Sequence, residues 1–549
     1  MKKIYLLLVL NGLFINLNSQ SFDWSKREGL WAYDYGYGVV TDNTGNVYVA
    51  GKYEENSIFS GTTISNAGNH DSFLAKYTSS GALTWIRTAG GSLGDYAHAI
   101  ATDGTSAIYV AGEIEGYGTL ISFPPSAITM NCVGDNDAFV AKYDMSGNVV
   151  WAIREGGVYS EKALAVACDN LGNVYTTGYF TTSTVFDGTA YTSAGGRDFY
   201  LAKFSPLGSL VWFKKAGSAG REEGLALKCD PAGNVYVCGM HSDGALFEST
   251  TLASPLGYYD MFVAKYASDG SLIWIKSQGS DYDDVAWGIT MDNAGKIYVT
   301  GEYNAYATFD SYNITTTGEA EIFVSCYDSS GTTLWVSSAG GNWYDRARGI
   351  GTDGTDIYIT GQFANTATFG THVITAADSS DVYMAKISNT GTFLWAMSIS
   401  GVADSVETLG YESGNGICAD ASGTVYATGA VLDGGVFGST TYGEYARTDI
   451  FVAKILQGSV GTESINASTQ GLINIYPNPG NGSLTIDLTK LNSERANVCI
   501  FNCMGQLVST VDQQNGKTVS LDISGEQKGI YLIEIRSEEN IYREKVIIQ

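Results

Sequence analysis

Seven times along this chain an acidic residue stands eight positions before an aspartate that opens a short turn. The pairs are Asp34 and Asp42, Asp95 and Asp103, Glu161 and Asp169, Glu222 and Asp230, Asp284 and Asp292, Asp345 and Asp353, and Glu412 and Asp420. A period of about sixty residues, met seven times, dictates architecture, because stacked copies must share one continuous core. It also implies that most recurring residues serve the fold, so function is to be sought where the repeat breaks.

One unit contains a run before the turn Asp, a Val-Tyr-Val-Ala-Gly type run, a Phe-Val-Ala-Lys-Tyr type run, and a run carrying Trp. Each is short, apolar, rich in β-branched and aromatic residues, and bounded by Gly, Asp, Asn or Ser, with no sustained helical period. These are strand and hairpin signals. We name the four strands A to D. Asp42-Asn-Thr-Gly-Asn46 suits an Asx-type A–B hairpin with Gly at a positive φ. Four-stranded antiparallel units repeated radially make a β-propeller.

Trp24 precedes Asp34 by the ten residues that separate Trp85 from Asp95, so the chain begins with an orphan strand D. The last unit ends at Phe451-Val-Ala-Lys-Ile455, a strand C with no D behind it. The expectation is a seven-bladed β-propeller closed by the N-terminal strand, which removes an exposed sheet edge. Two positions of strand A, six and four before the turn Asp, are Gly or Ala in all seven units, as in Gly36/Gly38 and Ala97/Ala99. Blades converging on an axis cannot keep the usual sheet spacing of roughly 10 Å, so strand A is expected innermost.

The ends of the chain read differently. Met1-Lys-Lys, an apolar run from Ile4 to Ile15 and a polar stretch to Ser19 read as a secretory signal peptide, 1–19. The apolar run is too short to anchor in a membrane, and no other segment could span one as a helix. The propeller is assigned to 20–457 and a Gly/Ser/Thr/Asn-rich linker to 458–470. Residues 471–549 hold seven short alternating strands, expected to form a small C-terminal β-sandwich. A net charge of −26 argues against nucleic acid or an anionic membrane as partner. Cys229/Cys238 and Cys499/Cys503 are near enough in sequence to pair, and free thiols fit equally.

The last segment resembles the type A C-terminal sorting domain of proteins exported by the type IX secretion system of Bacteroidetes. The resemblance rests on Tyr476-Pro477-Asn478-Pro479, Gly505, Gly529-Ile-Tyr531 and the terminal Lys545-Val-Ile-Ile-Gln549. Cys499 and Cys503 depart from the family's pattern. The resemblance implies passage through periplasm and outer membrane, the secretion machinery as partner, and a secreted or cell-surface product. Its sorting residues are Pro477, Asn478, Pro479, Gly529, Tyr531 and Lys545. The repeats, with Asp230-Pro-Ala-Gly-Asn-Val-Tyr-Val-Cys-Gly239 as an example, resemble the bacterial SBBP β-propeller repeat, which implies fold more than function.

Alternating strand direction puts the D–A and B–C connections on one face. The large irregularities lie there: a B–C bulge at 123–133 and a D–A insertion within 398–410. Loops on a rigid scaffold are the usual place of recognition. The acidic ring of Asp34, Asp95, Glu161, Glu222, Asp284, Asp345 and Glu412 opens strand A on this face. Its functional reading is a cation site, with Ca²⁺ the expected metal; its structural reading is seven carboxylates accepting backbone N–H bonds. Sevenfold repetition favours the second, since a ligand needs one site and a fold needs all seven.

Aromatics that vary between units mark the D–A loops: Trp31, Tyr96, Tyr159, Tyr282, Trp343 and Tyr344. With Arg346 they suit stacking on sugar rings; packing between blades is the alternative. Gly90-Gly-Ser92-Leu-Gly94 matches a nucleophile elbow but precedes no helix, the four histidines lack metal spacing, and the strand C lysines read as snorkelling side chains. The first functional reading is a non-enzymatic adhesion or binding protein for glycan or protein. The alternatives are a carbohydrate-active hydrolase or lyase on the same face, and a structural component of a surface layer.

Overall fold

The computed structural model describes residues 20–548 except 31, 254–258, 402–411, 421, 433–434, 439, 444–446, 457–472, 491–494, 502–506, 515–517, 526–527 and 538–540. The expected leader, the linker, Trp31, Gly505, Cys503 and most of the 398–410 insertion lie outside the described residues. Every named element is a β-strand.

Between residues 20 and 456 the strands form seven four-stranded antiparallel sets in chain order, here called sheets one to seven; short hairpin strands accompany them, and pairing of Gly340 with Thr368 makes sets five and six continuous. Sheet one runs Tyr35–Thr41, Val47–Glu54, His70–Tyr77, Leu83–Ala89, the strands A to D in that order. Strand A opens the next six at Asp95–Thr102, Glu161–Cys168, Glu223–Cys229, Val285–Met291, Arg346–Thr352 and Ser413–Ala419. In sheet seven the fourth strand is Ser21–Glu28, which pairs antiparallel with Thr448–Leu456, Lys26 opposite Val452.

Strand B is buried on both faces; Val47 to Tyr53 is buried throughout. The reason is visible in the cores, each of which lies between consecutive sheets. Tyr48 and Leu74 of sheet one meet Ile108 and Phe139 of sheet two, and Tyr426, Ile450 and Val452 of sheet seven meet Val39, Val47 and Phe73 of sheet one. Each buried Val, Ile or Phe contributes about 1.5–3 kcal/mol, and no single four-stranded sheet could bury both its faces alone.

Two recurring residues staple neighbouring sheets. The strand D indoles of Trp24, Trp151, Trp212, Trp274 and Trp335 donate to the C–D turn of the following sheet, for example Trp212 Nε1 to Ser268 O at 3.1 Å. The strand C lysine reaches the same turn: Lys203 Nζ lies 5.0 Å above the Tyr175 ring and donates to Ser268 O at 3.0 Å. These lysines therefore tie sheets together rather than snorkel, because the next sheet's turn brings a carbonyl within reach. The turn aspartates behave as expected of hairpin chemistry: Asp42 accepts from Thr44 N and Asn46 N, both at 2.9 Å, and from the Tyr48 hydroxyl at 2.8 Å.

Strand A carries a β-bulge in all seven sheets, always between the two small positions. The bulged residues are Tyr37, His98, Leu164, Leu225, Trp287, Arg348 and Asn415, all partly exposed. Neighbouring inner strands are in close contact: Asn415 Nδ2 of sheet seven donates to Gly36 O of sheet one at 3.0 Å. A Cβ on Gly416 would stand 3.1 Å from the Gly38 Cα, which explains the small residues beside the bulge. The B–C connections are not irregular loops. They form hairpins that bond back to the previous sheet, as Gly90 to Ser122 and Ala216 to Phe247.

A second compact unit holds the described residues beyond 472. One sheet contains Asn474–Tyr476, Ser483–Asp487 and Thr518–Asp522; the other runs Leu507–Gln514, Arg495–Phe501, Gly529–Ser537, Ile541–Ile548. Leu484, Ile486, Val498, Ile533 and Val546 share its core. Cys229, Cys238 and Cys499 carry free thiols.

Candidate functional site

The acidic ring serves the backbone. All seven carboxylates are buried. Asp34 accepts from Glu54 N at 2.8 Å, Asp95 from Gly91 N at 2.7 Å, Glu161 from Gly157 N at 3.2 Å and Glu222 from Ser218 N at 2.8 Å. Asp284 accepts from Asn304 N, Asp345 from Gly341 N, and Glu412 from Leu432 N. Each closes its own D–A loop or ties that loop to strand B. Burial, reinforced by the strand C carboxylate Asp71, pushes Asp95 up to about 8. Among the described residues no group of three or more acidic, His or Cys side chains is disposed to hold a metal ion. These backbone bonds are the ones the structural reading of the ring expects.

A different set of side chains converges where the bulges point. Tyr35 stacks on Tyr37, with centroids 6.0 Å apart and planes 12° from parallel. Tyr96 stacks likewise on His98 at 5.5 Å, and Tyr37 approaches His98 at 5.6 Å, joining sheets one and two. Lys52 Nζ stands 5.1 Å from the Tyr35 ring and 5.3 Å from the Tyr96 ring. Buried Glu113 bonds His98 Nε2 at 3.0 Å and Lys162 Nζ at 2.7 Å. Burial resists charge on Glu113, but His98 and Lys162 hold its pKa down at about 2. From the other side, Arg348 of sheet six lies over the Trp287 ring of sheet five at 5.2 Å. Its charge also acts on the buried Tyr37 phenol, which burial and the neighbouring tyrosines keep protonated.

Of the residues expected to bind, Tyr96 belongs to this cluster. Arg346 borders it, paired with Glu302 at 2.6 Å and 5.5 Å from the Tyr344 ring. Tyr159, Tyr282, Trp343 and Tyr344 stay outside it as exposed rings in their D–A loops. The sequence did not single out Tyr37, Trp287, Arg348 or Lys52, and it showed no metal spacing for His98. The available signal was a residue of changing chemistry between two invariantly small ones.

In the C-terminal unit, Asn478 Oδ1 accepts from Ile547 N at 3.0 Å and Gly480 N donates to Ile547 O at 2.9 Å, so the Pro-Asn-Pro turn is clipped to the last strand. Tyr531 is buried in the core, in the strand opposite Val546 and next to Leu532, which pairs with Lys545.

Residues 474–549 match the secretion system C-terminal sorting domain, and residues 23–52 match the SBBP beta-propeller repeat. The chain is 22% identical to an uncharacterized WD repeat-containing protein of Acanthamoeba polyphaga mimivirus, over 68% of this chain and 34% of the relative. It is 23% identical to the regulatory protein FlaEY of Caulobacter vibrioides, over 90% of this chain and 56% of that protein. The chain thus spans about a third and somewhat over half of these relatives. A solved structure described as a structural genomics protein of unknown function from Bacteroides thetaiotaomicron aligns at 11% identity and a TM-score of 0.27, over 76% of this chain and 98% of the other.

Removing residues 474–549 is expected to abolish surface delivery while the repeats still fold, read by fractionating cells that possess the type IX machinery. Surface or medium levels equal to those of the full chain would sink the assignment. With propeller repeats ahead of a type IX C-terminal sorting domain, this is an all-β protein exported to the cell surface or beyond.

Proposed function

We propose that residues 20–457 are a closed seven-bladed propeller that binds glycan at its inner-strand face, and that the C-terminal domain delivers it to the surface. Support for closure comes from the core shared by sheets seven and one and from Ser21–Glu28 as the fourth strand of sheet seven. The binding reading rests on one observation. Small residues flank every bulge, but the bulged residues are Tyr, His, Leu, Leu, Trp, Arg and Asn. A scaffold asks for sevenfold uniformity, whereas a ligand asks for one asymmetric arrangement. Paired aromatic faces beside Lys52, His98 and Arg348 offer stacking surfaces and hydroxyl partners together. The exposed rings of Tyr159, Tyr282, Trp343 and Tyr344, with Arg346, form the outer part of this surface, and Trp31 joins them on sequence grounds.

The test is retention of the purified full chain on a panel of polysaccharides, with product release followed in parallel. Tyr37→Ala and Trp287→Ala should each weaken the retained ligand by about tenfold or more, roughly 1.4 kcal/mol. Unchanged affinity in both variants would remove the inner-strand face from consideration. Release of products would favour the hydrolase or lyase reading, for which the His98–Glu113 pair beside Tyr37 supplies acid–base groups.

A further inference from the structure

We infer that the sugar bound at the inner-strand face is anionic, a uronic acid unit whose carboxylate sits on the guanidinium of Arg348. The inference rests on the glycan-binding reading above and adds the chemical class of the ligand.

Cations gather round this face in a chain of net charge −26, and nearly all of them are matched. Lys52 pairs with Glu54 at 3.3 Å, Lys162 with Glu113 at 2.7 Å, and Arg346 with Glu302 at 2.6 Å. Glu223 takes both Arg197 and Arg221, each at 2.6 Å. Arg348 is different. Among the described residues no carboxylate lies within ion-pair distance of it, and its buried Nε–H has no hydrogen-bond partner. It lies over the face of Trp287, and its charge is felt by Glu302, Tyr37 and Tyr35 without an ion pair to any of them.

Leaving a buried donor unpaired is costly, and more so on a charged group. The bulge fixes Arg348 at the same point of strand A where the other sheets present Tyr37, His98 and Trp287, so the guanidinium is held among ring faces. A planar guanidinium takes a carboxylate in two parallel hydrogen bonds, and a pyranose ring carrying that carboxylate would lie against the Trp287 or Tyr37 face. The charge complementarity must be local: the rest of the protein repels anions, but beyond about 8 Å that repulsion is screened at physiological salt. An acidic peptide also offers carboxylates. The Trp287 face against Arg348 and the stacked Tyr35 and Tyr37 rings favour a pyranose over it, although Arg346–Thr352 pairs on one side only.

The experiment uses the full chain and three probes, polygalacturonate, alginate and hyaluronan, each beside its carboxyl-reduced neutral counterpart. The rings and linkages are then the same and only the charge differs. At least one acidic probe should bind about tenfold more tightly than its reduced form. Arg348→Gln should bring the acidic probe down to the affinity of the reduced one, and Arg348→Lys should restore part of the difference. Unchanged melting of both variants establishes that they fold. Equal binding of acidic and reduced probes by the unmodified protein overturns the anionic inference and leaves the glycan reading intact. Binding of none of the six overturns both. Arg348-dependent binding of polyglutamate in place of the glycans overturns the inference in favour of an acidic peptide.

Discussion

One methyl group at Gly301 is expected to cost the repeat unit about 3 kcal/mol or more, far above the usual effect of a glycine-to-alanine change. Gly301 lies in strand B of sheet five, opposite Ala286 on one side and Phe323 on the other. The bulge at Trp287 turns the Val285 carbonyl onto the spot a Cβ would occupy, and the Phe323 ring closes the space from behind at 2.9 Å. Neither can yield cheaply, since the carbonyl belongs to a bonded ladder and the ring to the core between sheets. Gly51, Gly112, Gly178, Gly239, Gly361 and Gly429 meet the equivalent carbonyl in the other sheets. Chemical denaturation of Gly301→Ala beside Gly443→Ala is the check, because a Cβ at Gly443 meets no atom within 4 Å. A loss at Gly301 of less than about 1 kcal/mol, the ordinary cost of a mutation, would mean that the bulge is not the constraint.

The second large effect is a propeller unit that becomes more stable on mild acidification. Burial pushes Asp95 and Glu161 up to about 8, and Asp34, Asp284 and Asp345 up to about 7, with the strand C carboxylates Asp71, Asp137, Asp449, Asp260 and Glu321 adding to the rise. In the unfolded chain such groups titrate near 4. The folded state therefore binds more protons in between. Their contribution is fully present below about pH 4 and is lost as pH rises through 7 and 8. The melting temperature at pH 5.5 should exceed that at pH 8.5 by about 5 °C or more. Glu113, held at about 2, stays ionised across this window in both states and does not alter the slope. Burial lowers the pKa of His241, which opposes the trend as a single group. Asp95→Asn should flatten the dependence. A melting temperature that falls on acidification would show that the loop-closing carboxylates are ionised in the folded protein.

The repeat made much of the fold legible. Turn Asp, strand Trp and the small strand A residues recur because each blade needs the same hairpin, the same contact to its neighbour and the same clearance at the inner edge. The orphan strand at Trp24 was readable because its spacing to Asp34 copied that of Trp85 to Asp95, and Ser21–Glu28 does pair with the last strand of sheet seven. The carboxylate ring was legible as a recurring feature for the same reason. Its backbone partners were not, since they come from loops and from strand B twenty residues away. The strand B glycine was visible as a recurring letter without a cause, because the cause is a bulge in the strand beside it.

The candidate binding cluster lay beyond the reach of sequence for a physical reason. Local patterning determines which residues extend, turn or stay small, and those choices are settled within a single sixty-residue unit. The grouping of Tyr37, His98, Trp287 and Arg348 draws one residue from each of sheets one, two, five and six. Only the bulge, which turns one side chain per strand out of the ladder, and the convergence of inner strands from distant repeats bring them to one place.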